Sequence, residues 1–255
     1  MPVNPREGQP IWIDYVCQDF EAAQNFYNQL FGWEFTDMGE EFGHYNMITK
    51  DGGNVGGAMR AMNMDGTPSP EMPTAWSTYL HTGDIAGVHQ AALAAGATDV
   101  VGPMPVGPLG QMAVVVDPTG SPIGMWQPGE FSGFDTPLTP GTPVWFELMT
   151  TDFAAANDFY GKVFSFDITL MESFPYATHG EGDEAVAGIC DASEWAQNSY
   201  WRAYFNVEDA DADAAAAKVT ELGGKVLAGP EDSPYGRIVT VTDPEGATFQ
   251  LQQNL

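Results

Sequence analysis

Residues 11–16 are apolar except for Asp14 and are rich in large or β-branched side chains, the pattern of a β-strand. Asp19 follows this strand and can cap a helix, because its carboxylate can accept hydrogen bonds from backbone amides of the first turn. Apolar residues then recur at spacings of three and four, which predicts one buried helix face ending at Gly32. The residues of this face are Ala23, Phe26, Tyr27, Leu30 and Phe31. Three short strands are predicted next, at 33–36, 44–49 and 54–60.

The same order of one strand, one helix and three strands is predicted three more times along the chain. The later helices begin after Asp84, Asp152 and Asp211. Two tight turns, Asp117-Pro118-Thr119-Gly120 and Asp243-Pro244-Glu245-Gly246, join the last two strands of the second and fourth copies. The predicted strands of the second, third and fourth copies are 75–82, 98–101, 111–116, 122–127, 144–149, 166–171, 174–179, 184–190, 199–207, 225–228, 237–242 and 247–252.

The pattern therefore predicts four βαβββ modules. A four-stranded module cannot bury both of its faces alone, so we expect pairs of modules to complete a curved sheet with helices outside. This is an α+β fold with two domains, at 8–127 and 144–255. Residues 128–143 contain four prolines and three glycines and are interpreted as the linker.

Composition and charge exclude several classes of function. The 255 residues suffice for two domains, and the net charge is −27 with only eight basic residues. Such a surface repels phosphate backbones and anionic lipids, so we expect neither a nucleic-acid nor a membrane partner. The chain has no apolar run long enough for a membrane span and no secretory signal pattern, which indicates a cytoplasmic protein. The two cysteines, Cys17 and Cys190, do not have zinc-ligand spacing.

Two helix motifs and the two Asp-Pro-x-Gly turns resemble the vicinal-oxygen-chelate superfamily. The motifs run from Asp19 to Phe26-Tyr27-x-x-x-Phe31-Gly32 and from Asp152 to Phe159-Tyr160-x-x-x-Phe164. This superfamily includes glyoxalase I, bleomycin-resistance proteins and extradiol dioxygenases. The resemblance covers nearly the whole chain, in particular to tandem glyoxalase-like proteins of actinobacteria. It implies two glyoxalase-like domains, each with a cupped mixed sheet around a small-molecule pocket.

The resemblance also implies where a metal would be held, because ligands of the metal enzymes come from the first and last strands of each module. Only Gln250 among these positions is an ordinary ligand type, since tryptophan and glycine offer no lone pair and Arg202 would repel a cation. We therefore expect no cofactor, with a divalent metal held by Glu147, Gln250 and a third ligand as the alternative. The implied positions are Trp12, Ser77, Trp145, Arg202, Gly56 or Gly57, Gly124, Gly188 and Gln250.

Each first-strand tryptophan has a carboxylate two residues on, and therefore on the same strand face: Asp14 after Trp12, and Glu147 after Trp145. In a partly dry cup such a carboxylate could have a raised pKa and act as a general base or acid. Alternatively, it bonds a backbone amide or a tyrosine hydroxyl and fixes the strand.

Further pocket candidates lie on other strands. Tyr79 and Tyr204 share the faces of Ser77 and Arg202, and their hydroxyls could orient a substrate oxygen or belong to packed rings. Arg202 could hold a substrate carboxylate or phosphate, or form an internal salt bridge with Glu147. Arg237 could line the mouth of the same pocket as Arg202.

Two functions are compatible with these residues. One is metal-free binding or sequestration of a small aromatic or oxygenated molecule, since tryptophan and methionine suit a flat apolar ligand. The other is a glyoxalase-like lyase or isomerase with Glu147 or Asp14 as base and Arg202 and Tyr204 holding an oxyanion. The second domain is favoured because its pocket is more polar, and a monomer or weak homodimer is expected. The predicted ligand-binding residues are Trp12, Trp145, Tyr79, Ser77, Trp126, Gln250 and Arg237.

Overall fold

A computed structural model of the protein describes residues 5–63, 65–136, 138–172, 174–207 and 211–253. In these residues every module has the predicted order of one strand, one helix and three strands. The helices are α1 Phe20–Phe31, α2 Ile85–Ala94, α3 Phe153–Val163 and α4 Ala212–Glu221. None of the described helices is long and apolar enough to cross a membrane.

The first two modules form one eight-stranded sheet in the order β2-β3-β4-β1-β5-β8-β7-β6. The sheet is mixed, because β1 pairs with β4 and β5 pairs with β8 in parallel, whereas the other recorded pairs are antiparallel. The strands are β1 Pro10–Cys17, β2 Glu34–Asp37, β3 Asn46–Lys50, β4 Gly53–Arg60, β5 Ala75–His81, β6 Thr98–Val106, β7 Gly110–Val116 and β8 Pro122–Pro128.

The last two modules form a second eight-stranded sheet with the equivalent order, β10-β11-β12-β9-β13-β16-β15-β14. Its parallel pairs are β12 with β9 and β13 with β16. The predicted α+β fold of paired modules is thereby confirmed. The strands are β9 Pro143–Thr150, β10 Ile168–Leu170, β11 Tyr176–His179, β12 Gly188–Asp191, β13 Tyr200–Asn206, β14 Lys225–Ser233, β15 Gly236–Thr242 and β16 Thr248–Gln253.

The helices begin where the sequence predicts, because an aspartate caps each one. Asp19 Oδ1, for example, accepts a hydrogen bond from Ala22 N at 3.1 Å. Gly32 ends α1 in the left-handed conformation, with φ of 71°. The spacing of Ile85, Val88, Ala92 and Ala95 predicts one buried face for α2. Ala95 is exposed instead, whereas His89 is buried and lies 2.9 Å from Asp99.

The strand β6 is longer than predicted, because it continues through Pro103 and Pro105. Both prolines are tolerated since β6 is an edge strand and its pairing with β7 is interrupted by register shifts. Two short 3₁₀ turns, Glu40–Phe42 and Gly182–Glu184, were also not predicted.

Contacts divide the chain into two compact units, each made of separate stretches. One unit contains the chain up to Trp12 together with Ser77–Gly133 and Trp145–Arg202. In its core, the Tyr160 hydroxyl donates to Asp117 Oδ2 at 2.8 Å and accepts from Trp201 Nε1 at 2.9 Å. Burial and the nearby Asp117 raise the pKa of Tyr160. The motif tyrosine of α3 and the motif aspartate of a turn are thus one buried hydrogen-bonded group.

The other unit contains Ile13–Trp76, Phe134–Val144 and the chain from Ala203 onward. Its core holds the equivalent group, in which Asp243 Oδ2 accepts hydrogen bonds from the hydroxyls of Tyr15 and Tyr27. Burial raises the pKa of the Asp243 carboxyl although these hydrogen bonds oppose the shift.

The segment before β1 is held by a buried histidine. His179 is stacked on Phe166, with ring centroids 4.4 Å apart. Its Nδ1 accepts from Asp167 N at 3.0 Å, so Nε2 carries the hydrogen and donates to Glu7 O at 3.0 Å. Burial lowers the pKa of His179. This histidine therefore stabilises the fold in its neutral form.

Acidification should weaken this contact. The unfolded chain protonates His179 near pH 6.5, above the lowered pKa of the folded state, so the free energy of unfolding falls as the pH drops below about 6.5. We expect the stability difference between wild type and His179→Gln to shrink from pH 7.5 to pH 5, as measured by denaturant unfolding. His44→Gln is a control of opposite sign: Asp37 raises the pKa of His44, so the stability difference between wild type and this variant should not shrink on acidification. An unchanged difference across this range would contradict the role of neutral His179.

Candidate functional site

Glu147 and Arg202, both predicted to be catalytic, form an ion pair. Arg202 Nε and Nη2 donate to Glu147 Oε2 at 2.9 and 2.7 Å, and the two side chains are 15% and 6% exposed for arginine and glutamate. This is the internal salt bridge that the sequence left open. An ion pair this well buried requires good geometry, because both charges lose solvation. Glu147 therefore fixes the orientation of the guanidinium.

Two half-buried aromatic side chains lie beside this pair. Trp145 Nε1 donates to the Tyr176 hydroxyl at 3.0 Å. Gly188 is the parallel partner of Glu147, and a Cβ atom on Gly188 would lie only 2.5 Å from Tyr176 Cζ. The tyrosine ring thus covers the backbone opposite Glu147. The resulting group of Trp145, Glu147, Tyr176, Gly188 and Arg202 is called the domain-two site.

Cys190 lies near the domain-two site but does not supply a nucleophile. Burial, followed by the charge of Glu147, raises the pKa of the Cys190 thiol to about 12. Both cysteines of the chain are buried free thiols, as expected for structural residues.

The first sheet has a related arrangement around Asp14. The Tyr45 hydroxyl donates to Asp14 Oδ1 at 2.5 Å. Gly57 is the parallel partner of Asp14, and a Cβ atom on Gly57 would lie 2.8 Å from Tyr45 Cε1. Asp14 therefore makes the tyrosine contact that was the structural alternative for this carboxylate.

Tyr45 and Tyr176 were missed in the sequence. They are 131 positions apart (176 minus 45), as are Gly57 and Gly188 (188 minus 57). An equally spaced tyrosine and glycine, with the glycine at an implied ligand position, was the available signal. It could have been found by comparing the later strands of the modules as closely as the first strands.

The aromatic candidates on the first sheet contribute to packing. Tyr79 lies over its parallel partner Gly124, whose Cβ would be 2.5 Å from Tyr79 Cε1. Trp12 packs edge-on against Phe131 at 4.7 Å, and Trp126 Nε1 donates to Phe131 O at 2.9 Å. Ser77 is half-buried.

Tyr204 and Gln250 are parallel partners on β13 and β16. Gln250 is 2% exposed, and its Oε1 has no hydrogen-bond partner among the described residues. Arg237 lies elsewhere, because its guanidinium bonds Asp213 of α4 at 2.8 Å and Asp232 at 2.7 Å. The predicted place of Arg237 at a pocket mouth is therefore corrected to the helix-packed face of β15.

At four of the positions implied for metal ligands, the residues present do not fit a divalent ion. Tyrosine rings lie over Gly57, Gly124 and Gly188, so a ligand side chain at any of these positions would overlap a ring. Arg202 places a positive charge at a fourth position. Within the described ranges, no three His, Cys, Asp or Glu side chains come together in a way that could hold a metal.

Two surface depressions were found away from these residues. One, of about 450 Å³, is lined by residues of α1 and β2, including Glu21 and Glu34. The other, of about 280 Å³, lies between α1 and α4. None of the predicted site residues lines either depression. The candidate site is therefore defined by the contacts and charges of its side chains.

Gly188→Ala should displace the Tyr176 ring and break its hydrogen bond with Trp145. We expect the free energy of unfolding to fall by about 2 kcal/mol, as for an overpacked core. Denaturant unfolding checks this, with Gly102→Ala as control because no atom lies within 4 Å of a Cβ there. In the background of Tyr176→Ala, Gly188→Ala should have almost no further effect. Additive effects would show that the ring does not lie over Gly188.

Residues 10–125 and 142–251 match the model of a protein family described as the Glyoxalase/Bleomycin resistance protein/Dioxygenase superfamily. Two full-length relatives are similar in sequence. "Putative glyoxylase CFP32" of Mycobacterium tuberculosis is 34% identical, over 96% of this chain and 95% of the relative. "Anthracycline biosynthesis protein DnrV" of Streptomyces peucetius is 33% identical, over 96% of this chain and 92% of the relative.

Solved structures agree with the fold. The Mn(II)-bound glyoxalase from Novosphingobium aromaticivorans superposes with a TM-score of 0.66 at 14% identity, covering 97% of this chain and 82% of that one. The 2,3-dioxygenase LapB from Pseudomonas sp. KL28 superposes with a TM-score of 0.63 at 12% identity, covering 98% and 93%. At these identities the likeness shows the fold alone.

Proposed function

Because this chain belongs to the glyoxalase/bleomycin resistance protein/dioxygenase superfamily, we propose that it binds a small, flat, oxygenated aromatic molecule at the domain-two site. Binding there uses the protein's own side chains in place of the divalent metal common in this superfamily. The observation that carries the proposal is the guanidinium of Arg202, held by Glu147 beside two half-buried aromatic side chains.

The chemistry of these side chains suits such a ligand. A guanidinium presents several N–H donors in one plane and can hold a ligand carboxylate or phenolate. Trp145 and Tyr176 offer aromatic surface and, through the tyrosine hydroxyl, a further polar group. A flat molecule with an anionic oxygen can therefore use both the guanidinium and the aromatic surface.

The name of one relative favours an aromatic ligand. The Streptomyces relative is named for the biosynthesis of anthracyclines, which are oxygenated polycyclic aromatic molecules. Its likeness to this chain extends over nearly the full length of both proteins. We therefore extend that ligand chemistry to this chain as part of the proposal.

The proposal is tested by calorimetric titration with 1-hydroxy-2-naphthoate and with its uncharged methyl ester. We expect the acid to bind at least tenfold more tightly than the ester, which corresponds to about 1.4 kcal/mol. The double variant Glu147→Gln/Arg202→Met should lose this preference, whereas Arg237→Met, which removes an arginine outside the site, should keep it. Equal binding of acid and ester to the wild type would contradict the proposal.

A second candidate function is a glyoxalase-like lyase or isomerase. It is favoured by a carboxylate, Glu147, next to a guanidinium able to stabilise a developing oxyanion, and by the name of CFP32. Turnover of the adduct of methylglyoxal and glutathione, lost in Glu147→Gln but kept in Asp14→Asn, would support it. Saturable ligand binding without turnover would instead support binding alone.

A further inference from the structure

A groove between α1 and α4 has features of a second binding site. It lies wholly within one compact unit and has a volume of about 280 Å³, roughly nine water volumes. None of the residues predicted for ligand binding lines it. Its lining residues include Leu30, Phe31, Lys50, Asn206, Ala214 and Lys218.

The groove is basic, although the protein is strongly acidic. Lys50 and Lys218 are two of only eight basic residues in a chain of net charge −27. Lys50 Nζ lies 3.8 Å from Asp51 Oδ2, and Lys218 Nζ lies 3.1 Å from Glu221 Oε1. Both acidic partners are well exposed, and exposed ion pairs contribute little stability. An anion entering the groove can therefore compete with them.

Asn206 adds a buried acceptor to the lining. The residue is 2% exposed, and its backbone is satisfied by Thr142 O at 3.0 Å and Gly141 N at 2.8 Å. Its side-chain Oδ1, however, has no hydrogen-bond partner in the described part of the chain. A buried acceptor without a donor is unfavourable, so a ligand hydroxyl would stabilise this oxygen once rotation of the Asn206 side chain brings it from its buried position to the groove.

The rest of the wall is apolar, since Leu30, Phe31, Val207 and Ala215 contribute to it. Apolar walls with a few polar groups are typical of small-molecule sites. The groove therefore combines positive charge, one acceptor and a surface for a short hydrocarbon chain.

We propose that this groove binds a small 2-hydroxy carboxylate with a short apolar chain. The two lysines hold the carboxylate, Asn206 accepts the hydroxyl hydrogen, and the chain lies on the apolar wall. This site is separate from the domain-two site and does not depend on the function proposed for it.

The test is a calorimetric titration of the whole protein with 2-hydroxyhexanoate at low ionic strength. Hexanoate lacks the hydroxyl and 1,2-hexanediol lacks the charge, so they serve as matched ligands. Lys50→Met/Lys218→Met removes the positive charge, and Ala214→Phe fills the groove from an exposed helix position. Lys162→Met, which changes an exposed lysine of α3, is the control.

We expect saturable binding of 2-hydroxyhexanoate, weakened at least fivefold by the double lysine change and by Ala214→Phe, and unchanged within twofold by Lys162→Met. Hexanediol should bind at least fivefold more weakly. Absence of saturable binding to the wild type, or binding insensitive to both groove variants, would overturn the site. Hexanoate binding as tightly as the hydroxy acid would overturn the role of Asn206. Unfolding midpoints show that each variant is folded.

Discussion

Asp243→Ala is expected to lower the free energy of unfolding by about 4 kcal/mol. The carboxylate is 2% exposed and accepts hydrogen bonds from the Tyr15 and Tyr27 hydroxyls and from three backbone amides of its own turn. Alanine would leave all five donors without this acceptor in the core. Denaturant unfolding followed by circular dichroism measures the effect.

Two further variants separate the hydrogen bonds of Asp243 from a general effect of removing an aspartate. Tyr27→Phe removes one donor and should cost about 1–2 kcal/mol. Asp158→Ala removes an exposed aspartate paired with Lys162 and should change stability by less than about 0.5 kcal/mol. If Asp243→Ala resembled Asp158→Ala, the buried group would not be the anchor of its unit.

Arg202→Met should be the second most damaging change, with a loss of about 3 kcal/mol. It removes both described hydrogen bonds to the buried Glu147 carboxylate and leaves that charge without its cation. Adding Glu147→Gln neutralises the charge, so the double variant should be more stable than Arg202→Met alone. Thermal and denaturant unfolding of the single and double variants provide this comparison.

The comparison of these single and double variants also tests the proposed ligand site. If Arg202→Met were harmless, the guanidinium would not be held by Glu147 and the domain-two site would lose its defining contact. The matched control is Arg237→Met, whose carboxylate partners Asp213 and Asp232 are exposed and stay solvated when the cation is removed.

The order of elements could be predicted because its signals are local. An aspartate cap and a stripe of apolar residues predict each helix, as for Asp19 and α1. Each strand is short and bounded by turn residues such as Asp117-Pro118-Thr119-Gly120. Four repetitions of one order reinforced every individual assignment. The pairing of modules within sheets then followed from the need to bury sheet faces.

Features that depend on distant contacts were not predicted. Tyr176 lies over Gly188 because β11 and β12 pair antiparallel, and the first-strand pattern contains no sign of this. Likewise, the sequence gives Arg237 no mark that separates it from Arg202, although one bonds an exposed helix end and the other a buried glutamate. The two compact units are made of non-contiguous stretches, which periodicity cannot reveal.

The central claim is that the domain-two site holds its ligand through Arg202 and without a metal. The most direct measurement is the dissociation constant of 1-hydroxy-2-naphthoate for protein dialysed against a chelator, before and after addition of Mn(II). We predict the same constant within twofold in both conditions, and at least a tenfold weaker one in Glu147→Gln/Arg202→Met. Binding that appears only after the metal is added, or that is unchanged in this variant, would contradict the account.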